Sequence, residues 1–136
     1  MTQYNHKSKL GIEISIDMKE ILYVGVGSCL GGIVRYLLSS AIRWDGHGLP
    51  WGTLAVNLLG CLLIGLFAGI LSRHPSQALN LLLIVGLCGG FTTFSTFSRE
   101  SLTLLQSGQY AALVTYILLS LIVGIALSAT GYTIAR

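Results

Sequence analysis

An all-α integral membrane protein of four transmembrane helices is the fold class this chain predicts, on three observations. Of its 136 residues, 53% are hydrophobic and only 10% charged, whereas soluble domains carry about 25% charged residues. The mean hydropathy is +0.76. Four apolar stretches, Ile21–Ile42, Gly52–Leu71, Leu79–Phe97 and Tyr110–Ile134, are each close to the ~20 residues that cross ~30 Å of hydrocarbon as a helix. The runs between them hold most of the charged groups and both prolines, Pro50 and Pro75. Short loops and one compact four-helix domain over 21–136 follow, with no room for a separate soluble module.

The first twenty residues are polar and mixed in charge, with Lys7, Lys9, Glu13, Asp17, Lys19 and Glu20. They lack the short apolar core and small-residue cleavage site of a signal peptide, so 1–20 reads as a polar N-terminal tail. The net charge of +3 is spread over tail, loops and C-terminus, which argues against a nucleic-acid face. Cys29, Cys61 and Cys88 fall inside apolar spans without metal-ligand spacing. Buried thiols behave as small hydrophobes, so they are assigned neither a disulfide nor a metal.

The first span carries Gly27 and Gly31 at four-residue spacing and one charged residue, Arg35, in GGIVRY. Small residues at that spacing let helix backbones approach where no hydrophobic force drives association. Gly65 with Gly69 and Gly86 with Gly90 repeat the pattern, which does not distinguish contacts within a chain from contacts between chains. Arg35 serves either as an anchor that ties helix ends together or as a cation that concentrates anions near a vestibule.

In the second span Thr53 and Asn57 lie four apart and share a helix face. Asn offers two amide donors and Thr one hydroxyl. A face rich in donors suits a small anion, or it hydrogen-bonds a neighbouring helix. An amide in a Leu-rich span is expensive without some partner.

The third span is the most informative. Gly86 to Ser98 reads GLCGGFTTFSTFS, placing Gly, Thr, Ser and Phe where a membrane helix would keep Leu and Val. Backbone that leaves its helical hydrogen bonds inside a bilayer is tolerated only where protein or a water-filled path satisfies it. An interrupted helix that lines something polar is therefore expected, as at transport sites. Phe94 and Phe97 are three apart among Thr93, Ser95, Thr96 and Ser98. Aromatic rings have positive edges, so this pair either holds an anion in the ring plane or simply packs. In the fourth span Tyr116 and Ser120 are four apart and either continue the polar track or, for Ser120, bond back to the helix itself.

Four spans put both termini and the loop Ser72–Ala78 on one side, with Arg43–Trp51 and Arg99–Gln109 on the other. Near the span ends the first side holds Lys19, Arg73 and Arg136, the second Arg43 and Arg99. Orientation follows Lys and Arg bias close to the membrane, and that bias is slight here. An antiparallel pair of identical chains is thus open to it. No Asp or Glu is assigned to a span, Asp45 and Glu100 being placed in loops, and His6, His47 and His74 lie outside the spans as well. Proton-coupled exporters normally need a titratable group at membrane depth. The reading is a non-enzyme that conducts passively. A small four-helix multidrug-type exporter and a non-transporting assembly subunit are the alternatives.

Three blocks, GGIVRY at Gly31–Tyr36, GTLAVNLLG at Gly52–Gly60 and GLCGGFTTFSTFSRE at Gly86–Glu100, resemble the Fluc/CrcB fluoride channel family from about Ile21 onward. The resemblance implies a fluoride-selective channel of the inner (plasma) membrane, an antiparallel dual-topology homodimer that gives passive fluoride export and fluoride resistance. It implies a break in the third helix and a structural sodium ion at the dimer centre, held by the carbonyls of Gly89 and Thr92. It implies two fluoride pores lined by Phe94 and Phe97, the amide of Asn57 and hydroxyls such as Thr53, continued by Tyr116 and Ser120, with Arg35 at a vestibule. Ile122 and Ala126 stand where some family members carry further pore hydroxyls.

Overall fold

A computed structural model of the chain describes residues 17–136. Four helices are long and apolar enough to cross a membrane: α1 (Met18–Ala41), α2 (Trp51–Arg73), α3 (Gln77–Gln106) and α4 (Tyr110–Ala135). Of the tail assigned to 1–20, residues 1–16 lie outside the described residues. Asp17 is the N-cap of α1, its side chain accepting from the Lys19 N–H at 3.2 Å. Helix starts need such acceptors because the first-turn N–H groups have no intrahelical partner.

Each remaining boundary has a local cause. Arg73 ends α2 because His74 precedes Pro75 and is held extended (φ −126°, ψ 77°). Ser76 restarts the chain by accepting from the Leu79 N–H. Gly108, at φ +71°, closes α3, with Gly108 N–H donating to the Leu105 carbonyl and Gln109 N–H to that of Leu104. This left-handed termination satisfies the last helical carbonyls and suits a residue without Cβ. The third span is therefore longer than the apolar run suggests. Arg99 and Glu100, which the sequence assigns to the start of a loop, are helical.

The paired glycines make contacts within the chain. A Cβ at Gly27 would lie 2.2 Å from the Leu82 carbonyl oxygen, and one at Gly31 would lie 2.2 Å from that of Leu87. These positions seat α1 on the first half of α3. In the same way Gly65 faces the Ser128 carbonyl at 2.1 Å and Gly131 that of Leu62 at 2.5 Å, which joins α2 to α4. Close backbone approach of this kind takes the place of apolar burial as the packing force between membrane helices.

Neither α3 nor α4 is uniform. Asn80–Cys88 and Leu119–Val123 are π-helical. Such wide turns recur at functional sites. Near the middle of α3, Thr92 (φ −78°, ψ 155°) and Thr93 (φ −146°, ψ 112°) are extended, and helix resumes at Phe94. At the end of the molecule away from Arg136, Gln109 ties the two loops together. Its Oε1 accepts from Gly48 N–H at 2.9 Å and its Nε2 donates to the Gly46 carbonyl at 2.9 Å.

Candidate functional site: a polar track along α2

The two extended threonines are held by one side chain. Asn57 Oδ1 accepts from the Thr93 N–H at 2.8 Å, and Asn57 Nδ2 donates to the Thr93 carbonyl at 3.2 Å. In a continuous helix that N–H would go to the Gly89 carbonyl. Its diversion to Asn57 leaves Gly89 without a helical donor. Gly89 is exposed, and nothing lies within 4 Å of where its Cβ would stand. Thr92 turns back the other way, its N–H and its hydroxyl both donating to the Cys88 carbonyl at 2.9 Å. Thr93 then caps the second half of α3: its Oγ1 accepts from the Thr96 N–H at 3.2 Å and donates to Thr96 Oγ1 at 3.0 Å. Gly60 makes space for this turn, since a Cβ there would sit 2.2 Å from Thr92 Cγ2 and 3.2 Å from the Phe91 ring.

A cavity of about 290 Å³ opens beside the turn. Asn57, Thr92, Thr93, Phe94, Phe97 and Ser120 are among the residues that line it. The rings of Phe94 and Phe97 are 5.7 Å apart, and Phe94 is 80% exposed. Ser120 does not bond back to its own helix. Its Oγ is buried without a hydrogen-bond partner in the π-helical turn, where the carbonyl ladder is displaced from α-helical register. One amide hydrogen of Asn57 and the hydroxyl of Ser120 are thus uncommitted donors on one cavity wall.

One turn along α2 toward the 42–50 loop, a second cavity of about 240 Å³ includes Ser39, Trp44, Thr53, Thr96, Arg99 and Glu100 in its lining. Here the structure corrects the sequence reading. Glu100 is not a loop residue; it lies in α3, 6% exposed. Thr53 Oγ1 donates to its Oε1 at 2.7 Å and the Tyr116 hydroxyl to its Oε2 at 2.8 Å. A carboxylate does stand within a span, and the argument against a proton-coupled exporter drawn from its absence falls. Helical spacing carried the missed signal: Thr93, Thr96 and Glu100 recur at intervals of three and four, on one stripe. Ending the span at Phe97 leaves Glu100 outside it, because a polar run is not apolar enough to extend a membrane stretch by hydropathy.

The other candidates are distributed as follows. Thr53 is 5% exposed, and its hydroxyl hydrogen goes to Glu100, so it does not face the cavity as a free donor. Tyr116 is fully buried against Leu54, Leu104 and Phe97, its ring 4.9 Å from that of Phe97. It supports the track from behind. Arg35 is half-buried on α1, one turn from Ser39, and is not among the residues lining either cavity. Gly89 and Thr92 lie on either side of the Gly90–Phe91 turn.

Comparison with known proteins gives the family of the chain. The family described as CrcB-like protein, Camphor Resistance (CrcB), matches residues 22–132. A Fluoride-specific ion channel FluC of Phocaeicola vulgatus is 52% identical over 110 residues, 79% of this chain and 91% of that protein. The protein of the same name in Flavobacterium psychrophilum is 44% identical over 122 residues, 88% of this chain and 98% of that one. Another, from Nitrobacter winogradskyi, is 41% identical over 119 residues, covering 85% and 94%. The matched residues include the lining of both cavities and most or all of each helix, and the chain belongs to the CrcB-like protein family.

Proposed function

We propose that this protein is a fluoride-selective ion channel of the plasma membrane, which lets fluoride leave the cytoplasm passively through the two cavities along α2. The observation that carries the reading is the wall where Asn57 and Ser120 keep uncommitted donors beside Phe94 and Phe97. Fluoride is small and strongly hydrated, so it enters a dry path only where donors replace its water at close range. Ring edges extend that donor set without adding a fixed charge. The relatives' printed names point the same way. Hydrogen fluoride enters cells as a neutral weak acid and dissociates in a near-neutral cytoplasm. An inside-negative potential then favours exit of the anion by ~2.3 kcal/mol per 100 mV.

The reading includes a second, antiparallel copy of the chain. Gly89, whose carbonyl has lost its helical donor, and the hydroxyl-bearing Ser95 and Ser98 are exposed near the middle of a membrane span. Hydrocarbon does not satisfy such groups, and a protein partner would. It also includes a structural sodium ion held by the carbonyls of Gly89 and Thr92. The fit is chemical: Gly89 has lost its helical donor, so its oxygen is free for a hard cation. Bound there, sodium would be held by the Gly89 and Thr92 carbonyl oxygens and would supply positive charge to a turn that, among the described residues, has no metal-binding cluster of acidic side chains.

The test is fluoride efflux from proteoliposomes under an imposed voltage, with chloride as competitor and no proton gradient. Wild-type protein should pass fluoride and leave chloride inside. Phe94→Ile and Phe97→Ile should lower fluoride flux by about two- to tenfold, the equivalent of an aromatic contact of about 0.5–1.5 kcal/mol. Unchanged flux in both variants would remove the rings from the path. The buried carboxylate of Glu100 is the one feature that favours the exporter alternative. Flux that required a proton gradient would establish that alternative and end the channel reading.

A further inference from the structure

The second cavity holds a buried carboxylate, yet the ion proposed to pass it is an anion. Both oxygens of Glu100 accept from neutral hydroxyls, those of Thr53 and Tyr116. These bonds stabilise the carboxylate without cancelling its charge. Among the residues that line this cavity there is one cation, Arg99, the residue before Glu100 and exposed to solvent. Consecutive helical positions are rotated by about 100°, so the two side chains diverge, and Glu100 is bonded by Thr53 and Tyr116 rather than by its neighbour. Trp44 and Pro50 of the 42–50 loop also line it and place it at the loop end of the track.

We propose that Arg99 is the anion-attracting residue of this mouth: its guanidinium offsets the field of Glu100 and raises the local fluoride concentration at the entrance. The proposal rests on the reading of the two cavities as the fluoride path. It differs from the vestibule role that the family resemblance implies for Arg35, which lines neither cavity. Arg cannot lose its charge at any working pH and is weakly hydrated for a cation. It therefore keeps a fixed positive charge at the mouth, and the attraction depends on that charge rather than on the shape of the head group. In water, a unit charge ~7 Å away changes local anion concentration by about threefold. The effect vanishes when salt shortens the screening length to ~3 Å at 1 M, and is full at 0.01 M, where that length is ~30 Å.

The experiment measures fluoride flux through full-length protein in vesicles at 10 mM and at 1 M ionic strength, set with sodium gluconate. Arg99→Gln should lower flux about threefold at 10 mM and match wild type at 1 M. Arg99→Glu should lower it about ninefold at 10 mM, and Arg99→Lys should restore it. Wild-type flux for Arg99→Gln at 10 mM overturns the proposal, as does a loss that persists at 1 M or is not restored by lysine. Phe97→Ile in the same vesicles separates the two readings. If it lowers flux while Arg99→Gln does not, the path stands and Arg99 has no part in it. If wild-type protein passes no fluoride without a proton gradient, the path itself is wrong and the proposal falls with it.

Discussion

Asn57 makes both of its strong hydrogen bonds to a single residue, and the pairing explains why an amide is needed there. Thr93 has left the helix, so its N–H and carbonyl each require a partner at membrane depth, and one planar amide supplies an acceptor and a donor together. Replacing Asn57 by Ala would orphan both groups, at about 1–3 kcal/mol each. The expected result is a lower thermal midpoint in detergent together with loss of fluoride flux. A variant as stable and as conductive as wild type would show that the amide does not hold the turn. Glu100 follows the same logic from the other side. A buried carboxylate persists only where its oxygens are hydrogen-bonded, and Thr53 and Tyr116 occupy one each.

At the scale of elements, α3 is two helices in series, and α2 is the rod that organises the joint between them. Thr53, Asn57 and Gly60 present three different services along one side of α2: a donor to Glu100, a clamp on Thr93, and space for Thr92. The rise of ~1.5 Å per residue puts them within ~11 Å. A Cβ at Gly60 meets the Thr92 methyl group and the Phe91 ring, neither of which can swing away freely. Gly60→Ala should therefore displace the turn, with a cost of about 1–3 kcal/mol from overpacking. Flux should fall while helix content by circular dichroism stays unchanged. Gly65→Ala should act differently, since its clash is with the Ser128 backbone across the α2–α4 contact. It should lower the thermal midpoint through packing alone.

For the whole molecule, the two ends differ in how they are fixed. At the end with the C-terminus, Arg73 donates to the Arg136 carbonyl and Gln77 to Glu20, so α2 is tied to the end of α4 and α3 to α1. At the other end Gln109 bridges both loops beside the mouth. The proposed second copy would meet the exposed centre of α3, between these two tied ends. If sodium joins the two copies there, flux should fall in sodium-free N-methylglucamine medium and return when sodium is added. Equal flux under thoroughly sodium-free conditions would count against the Gly89 and Thr92 assignment.

Hydropathy and composition alone determined the four spans, the short loops and the stretch from Gly86 to Ser98 as the place to look, because membrane length and apolarity are local properties of a chain. Helical spacing likewise gave the shared faces of Thr53 with Asn57 and of Phe94 with Phe97. The position of the extended residues, the burial of Glu100 and the intrachain use of the glycine pairs were decided only by tertiary structure. Each depends on a partner distant in sequence: Asn57 for Thr93, Thr53 and Tyr116 for Glu100, Leu82 and Ser128 for Gly27 and Gly65. A polar run reads as an exit from the membrane until a second helix is known to receive it, since the free energy of a buried polar group is set by its partner and not by its neighbours in the chain.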